Sequence, residues 1–92
     1  MENVRVRLII EGRVQGVFFR HHTQEMAAKL GLKGWVKNMQ NGDVEAIFEG
    51  PQQEVNQMIQ WCRQGPPRAR VTRVHQVWEH YKGEFKDFSV GY

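Results

Sequence analysis

Apolar and polar residues alternate at the start of the chain, and this alternation predicts a strand over residues 4–11. The apolar positions of one parity are Val4, Val6, Leu8 and Ile10. Charged residues occupy most positions of the other parity, so we expect one face of the strand to be buried and the other to meet solvent. Two glycines then interrupt the alternation, and residues 12–18 are predicted to form a loop.

Helical spacing follows in two segments of the chain. The shared face of residues 19–30 consists of Phe19, Thr23, Met26, Ala27 and Leu30. A second helix is predicted to open at Gly50-Pro51, with the proline at the first helical position, where its missing N–H costs nothing. The apolar stripe of this helix consists of Val55, Met58, Ile59 and Cys62. Gly31 ends the first helix, and the Gly-Pro-Pro stretch at 65–67 ends the second.

Four further strands are predicted, over residues 33–40, 43–49, 71–80 and 85–91. Asn41 and Gly42 join the first two, and they predict a tight hairpin because both residue types tolerate positive φ. The inward side chains expected in the third and last strands of the chain are Val44, Ala46, Phe48, Phe88 and Val90. The alternation within residues 71–80 is imperfect, which indicates a bulge or burial on both faces.

The order of these elements is βαββαβ followed by a short terminal strand. Right-handed crossovers place the third strand between the first and the second. The predicted fold is therefore an α+β, ferredoxin-like sandwich, with two helices on one face of an antiparallel sheet. A chain of 92 residues buries only one core, so residues 1–92 are expected to form a single domain.

Composition narrows the function classes only in part. The net charge is +3, which suits an anionic ligand but excludes no class of partner. The single cysteine, Cys62, has no partner for an internal disulfide, which suits a reducing compartment. No apolar run approaches the ~20 residues that span a membrane, and the first residues lack the features of a signal peptide. We expect a cytoplasmic monomer that does not bind membranes.

The glycine-rich stretch at residues 12–20 is the first candidate for chemistry. Gly12 and Gly16 allow sharp turns that bring successive backbone amides toward one point, directly before a helix N-terminus. Arg20 lies in the first helical turn, where a cation opposes the helix dipole unless an anion binds beside it. A guanidinium also matches phosphate in a bidentate manner. The alternative is a plain strand-to-helix turn with an arginine that extends into solvent, and the residues alone leave both open.

Asn38 is the second candidate, because asparagine is disfavoured on a strand. Its amide accepts and donates hydrogen bonds at once, which suits the positioning of a water molecule. The alternative is a polar residue at a fraying strand end. No His, Cys, Asp or Glu set has the spacing of a metal site, and the sequence lacks a serine elbow and a Walker loop. We therefore expect no metal and no cofactor.

Two segments resemble the signatures of the acylphosphatase family. Residues 10–20, IEGRVQGVFFR, are similar to the first signature, whose centre is G-x-V-Q-G-V-x-F-R. Residues 34–38, GWVKN, followed by Gly42, Val44 and Gly50, are similar to the second. The GPPRARV stretch that precedes the fourth predicted strand is also typical of the family. The resemblance in element order and length covers nearly the whole chain.

The resemblance implies the fold given above and the hydrolysis of a carboxyl–phosphate anhydride to carboxylate and phosphate. It implies that Arg20 binds the phosphoryl group and that Asn38 orients the attacking water. The backbone amides implied in the phosphate cradle are those of Gln15, Gly16, Val17, Phe18, Phe19 and Arg20. The implied partner is a small acyl phosphate, with inorganic phosphate or sulfate as a competing anion. Many relatives carry hydroxyl residues where this chain has Met39 and Asp43, so we expect Asn38 to be held less firmly here if those hydroxyls help to orient it.

Two other functions fit parts of the sequence. A ferredoxin-like sheet with basic charge also describes RNA-recognition domains, which stack bases on aromatic residues of two central strands. The open face of the first and third predicted strands offers Arg5, Arg7, Ile9, Glu45, Ile47 and Glu49 instead. Acylphosphatase-like domains also occur within a larger carbamoyl-transferring maturation protein, but this chain has no zinc-motif cysteines. We expect no nucleic-acid partner.

Overall fold

Residues 2–91 are described by a computed structural model and form five strands and two helices. These are β1 (Asn3–Arg13), α1 (Phe19–Lys29), β2 (Lys33–Asn38), β3 (Val44–Pro51), α2 (Gln52–Gln64), β4 (Arg70–Glu79) and β5 (Phe88–Val90). The sheet order β4-β1-β3-β2-β5 places β3 between β1 and β2, and it confirms the ferredoxin-like prediction. The sheet is not wholly antiparallel, because β5 pairs with β2 in a parallel direction.

The core lies between the two helices and one face of the sheet. The residues predicted to face inward are nearly all buried, and the remaining ones, Val4, Met26, Leu30 and Val90, pack partly buried against the core. Cys62 is fully buried, and this burial raises the pKa of its thiol, as expected of a packing group. Neither helix is long and apolar enough to cross a membrane, as far as residues 2–91 are concerned.

Strand β1 continues beyond its predicted end and shortens the following loop. Gly12 and Arg13 pair with Val71 and Arg70 of β4, so the loop begins at residue 14 instead of 12. Gly12 has a φ of 128°, and a Cβ at this position would collide with the carbonyl oxygen of Arg70. The register against β4 shifts between Glu11 and Gly12, and this irregularity is the bulge that the imperfect alternation indicated.

Two further local predictions are wrong. The hairpin between β2 and β3 is longer than a two-residue turn: the Gly42 N–H donates to the Met39 carbonyl (3.3 Å) and the Met39 N–H to the Asp43 carbonyl (2.8 Å). Of the pair Asn41-Gly42, only Gly42 has a positive φ, because the Asn41 side chain instead accepts from the Asp43 N–H (3.0 Å). Pro51 is not the first helical residue, since its extended backbone stays paired in β3 and α2 begins at Gln52.

The open face of the sheet carries ion pairs between β1 and neighbouring carboxylates. Arg5 contacts Glu49 (3.2 Å), Glu79 (2.8 Å) and Glu84 (2.5 Å), and Arg7 pairs with Glu79 (3.0 Å). Hydrogen bonds from Arg5 and then Arg7 hold the pKa of the Glu79 carboxyl below its usual value. The guanidinium groups of Arg5 and Arg7 are already paired with carboxylates. They offer little positive charge to phosphate groups, so this face does not favour the binding of an RNA backbone.

Candidate active site

One cavity of about 780 Å³ lies beside the loop that joins β1 to α1. Its wall includes Arg20 from the first turn of α1 and Asn38 from the last position of β2, so the structure brings the two predicted catalytic residues together. From the predicted cradle, Gly16, Phe18 and Phe19 also line it. Gln15 and Val17 are not among the lining residues, and Val17 is buried in the core.

The loop at residues 14–18 belongs to no helix or strand, so its backbone amides are not used in regular structure. Val14 and Val17 are buried and anchor the loop, whereas Gly16 and Phe18 are exposed and adopt positive φ values of 73° and 63°. Within residues 2–91, the amides from Gln15 to Phe19 donate to no acceptor. Backbone amides left without acceptors in a loop with positive φ values are available to bind an anion.

The N-terminus of α1 adds to this positive potential. The first backbone bond of the helix runs from the His22 N–H to the Phe18 carbonyl (3.1 Å), so the amides of the preceding turn lie outside the helical ladder. Phe18 provides no side-chain cap, and the first turn contains no acidic residue. The positive end of the helix dipole is therefore not neutralised locally, which favours an anion at this position.

Arg20 is half-buried and is oriented by the C-terminal segment. Its Nη1 donates to the carbonyl of Gly91 at 2.7 Å, and the Gly91 N–H donates in turn to the Val36 carbonyl of β2 at 2.7 Å. One turn further along α1, the Gln24 side chain donates to the Phe88 carbonyl (3.1 Å). These contacts hold the guanidinium against the cavity wall.

Asn38 carries an acceptor that the fold leaves unused. Its Oδ1 is buried, and among residues 2–91 it has no hydrogen-bond partner. A buried acceptor without a partner costs about 1–3 kcal/mol. Asn38 also lines the cavity, where its side-chain amide can bond a water molecule or a ligand.

Gln15 links the loop to the hairpin that follows Asn38. Its Nε2 donates to the carbonyls of Met39 (2.8 Å) and Asp43 (2.9 Å). Met39 and Asp43 are the two residues that stand where many relatives carry hydroxyl side chains. In this chain the Gln15 side chain holds their backbone carbonyls. The sequence analysis assigned Gln15 only a backbone amide, and it missed this side-chain contact.

Part of the cavity comes from residues that the sequence analysis did not select. These are Gln24 of α1 and the C-terminal residues Asp87, Phe88, Ser89 and Val90. Of the two adjacent histidines, His21 lines the cavity and His22 does not, while both contact Glu25 (3.6 Å and 3.2 Å). Within the described residues, no three His, Cys, Asp or Glu side chains are grouped as a metal ion requires.

Comparisons with known proteins point to one family. A family model described as Acylphosphatase matches residues 6–90. The acylphosphatase of Geobacter sulfurreducens is 53% identical over 97% of this chain and 98% of its own. The crystal structure of acylphosphatase from Bacillus subtilis has a TM-score of 0.93 and 36% identity, over 97% of this chain and 99% of that one. Full-length HypF in a phosphate- and nucleotide-bound form reaches a TM-score of 0.84 with 26% identity, over 98% of this chain but only 12% of HypF.

Proposed function

The chain belongs to the acylphosphatase family and is a hydrolase, and we propose that Asn38 directs a water molecule at a phosphoryl group held by Arg20 and the loop amides. One observation carries this proposal. Asn38, whose buried Oδ1 has no partner within residues 2–91, lines the same cavity as Arg20 and the loop whose amides donate to no acceptor among those residues. An anion and a water molecule together would satisfy these groups.

The leaving group makes a small set of residues sufficient. A carboxylate departs, and because the pKa of its conjugate acid is about 4, it needs no general acid. The water oxygen bonds to phosphorus, the phosphorus–oxygen bond to the acyl group breaks, and its electron pair leaves on the carboxylate. The proton of the water passes to a phosphoryl oxygen.

The charge of the transition state resides on the equatorial phosphoryl oxygens. The loop amides, the N-terminus of α1 and the Arg20 guanidinium meet these oxygens with donors already in place. A single donor of this kind typically stabilises the transition state by ~2.7–4 kcal/mol. Asn38 contributes position, since an aligned nucleophile removes much of the entropic barrier.

The substrate is proposed to be a small, free acyl phosphate. Membership of the acylphosphatase family supports a substrate of this class. Acylphosphatases match the chain over nearly their whole length, which supports one domain over residues 1–92. Inorganic phosphate or sulfate is proposed to compete with the substrate. A cytoplasmic location and a monomeric state remain predictions.

Hydrolysis of benzoyl phosphate in the presence of EDTA tests the proposed reaction. The purified chain should release benzoate and phosphate at the same rate with and without the chelator. In water enriched in ¹⁸O, the label should enter phosphate, because the water attacks phosphorus. Label in benzoate, or a rate that EDTA abolishes and a divalent metal restores, would contradict the proposal.

Replacement of Gln15 by glutamate tests the link between the loop and Asn38. The carboxylate would face the two carbonyls of Met39 and Asp43 without a donor, and the loop and the hairpin should separate. We expect kcat for benzoyl phosphate to fall about 10- to 100-fold, because small displacements of reacting groups are costly. Gln40→Glu makes the same chemical change at an exposed position of the hairpin and should retain the parental rate. Equal rates for Gln15→Glu and the parent protein would exclude the positioning role.

A further inference from the structure

Phe18 is a residue of the cavity wall that the proposed mechanism uses only through its backbone. Its side chain is large and apolar, yet 62% of the residue is exposed. The other two phenylalanines of the wall, Phe19 and Phe88, are buried, with exposures of 1% and 8%. Phe18 is therefore the phenylalanine that offers an accessible ring at this cavity.

Phe18 has a backbone conformation that is strained for any residue with a side chain. It has φ 63° and ψ 25°, and among residues 2–91 it is the one non-glycine residue with positive φ. A residue with a Cβ is strained in this left-handed region, whereas glycine adopts it freely, as Gly16 does two residues earlier. The ring is not needed by the core, because it is exposed. Strain retained beside a cavity indicates a function for the side chain.

We propose that the Phe18 ring binds the acyl group of the substrate, so that the enzyme favours acyl phosphates whose acyl group is aromatic or bulky and apolar. This inference rests on the proposed function. The phosphoryl group occupies the amides of the loop and Arg20, and the acyl group must extend from it toward the open side of the cavity. The ring of Phe18 belongs to the same loop and lies at that side, where it removes apolar surface of the acyl group from water.

The test compares kcat/KM for benzoyl phosphate and acetyl phosphate across variants. In Phe18→Ala the ratio of the two values, benzoyl over acetyl, should fall about ten-fold relative to the parent protein, as expected for the lost contact of one ring face. Phe18→Gly should lower the ratio as much as Phe18→Ala does, because both variants lack the ring. It should also raise the melting temperature, because glycine relieves the backbone strain, so the two measurements distinguish the effect of the ring from the effect of the strain. Phe18→Tyr should retain the ratio. Tyr81→Ala, at another exposed aromatic residue outside the cavity, should change neither the ratio nor the rates.

Two results would overturn the inference. Parental values of kcat/KM for both substrates in Phe18→Ala would show that the ring does not contact the acyl group. Equal losses for both substrates would show that Phe18 acts only on the geometry of the loop. In either case, hydrolysis of acetyl phosphate by the parent protein would leave the proposed function standing. If the parent protein hydrolysed neither substrate, the proposed function itself would be wrong.

Discussion

Replacement of Arg20 by alanine is expected to remove turnover and phosphate binding together. The guanidinium meets the phosphoryl oxygens both in the bound substrate and in the transition state, so its loss affects both. We expect kcat/KM for benzoyl phosphate to fall about 10³-fold or more, the size seen when an arginine no longer stabilises a transferring phosphoryl group. The inhibition constant of inorganic phosphate should rise about 10- to 100-fold, since hydrogen bonds to charged groups are worth ~1.5–3 kcal/mol.

Two further variants separate the geometry of Arg20 from its charge. Arg20→Lys keeps the positive charge but loses the planar fork, and it should recover phosphate inhibition more than turnover. Arg63→Ala removes an exposed arginine of α2 that bonds Gln76, and it should leave both quantities at parental values. A melting curve must show that Arg20→Ala is folded, because its contact with the Gly91 carbonyl is lost as well. Parental phosphate inhibition by folded Arg20→Ala would refute the assigned role.

The elements that the sequence predicts well are those with one buried face. Val6, Leu8 and Ile10 of β1 are fully buried, while Arg5 and Arg7 on the opposite face make ion pairs. A shift of one residue would exchange these faces, so burial fixes the register and leaves a clear alternation in the sequence. The order of the strands then follows from the handedness of the crossovers.

The local errors arise where a competing contact outweighs the expected local preference. The sequence around Pro51 is typical of a helix start, but pairing with Asn3 keeps the residue in β3. Asn41-Gly42 is typical of a two-residue turn, but the hairpin is longer because the Asn41 side chain bonds the Asp43 amide. The contact at Pro51 depends on a distant strand and leaves no local pattern, whereas the bond made by Asn41 is a second local preference of asparagine that competes with the tight turn.

The parts of the cavity that the sequence could not predict depend on distant backbone groups. The carbonyl that orients Arg20 belongs to Gly91, 71 positions away along the chain. The carbonyls bound by Gln15 lie 24 and 28 positions away. A backbone carbonyl carries no signature in the sequence, so these contacts become visible only in the folded chain, where the pairing of β5 with β2 places Gly91 and the hairpin after β2 places Met39 and Asp43.

The distribution of charge explains why a protein of modest net charge has an anion site. Arg5 and Arg7 are paired with carboxylates on the open face and contribute little free positive charge. At the N-terminus of α1 the positive charge is not neutralised by carboxylates of the same turn. The first turn lacks acidic residues, and the charge of Arg20 adds to the positive end of the helix dipole. Local arrangement, and not the net charge of +3, therefore favours the binding of an anion at the cavity.

Replacement of Asn38 by alanine is expected to remove turnover while leaving phosphate binding intact. The phosphoryl group contacts the loop and Arg20, so the inhibition constant of inorganic phosphate should stay within about two-fold of the parental value. The attacking water loses its acceptor, and kcat should fall about 10²-fold or more because the nucleophile is no longer aligned. Steady-state kinetics with benzoyl phosphate, with phosphate as the inhibitor, measures both quantities.

Stability distinguishes this role of Asn38 from a structural one. Its Oδ1 has no partner within the described residues, so alanine removes a buried, unsatisfied acceptor and breaks no hydrogen bond between them. The free energy of unfolding should therefore stay constant or rise by up to about 1 kcal/mol, as measured in urea. Asn56→Ala on α2, whose side chain accepts from Gln52, is the matched control and should keep the parental rate. If Asn38→Ala hydrolysed benzoyl phosphate at the parental rate, or if it lost activity only because it unfolded, Asn38 would not be the residue that directs the water.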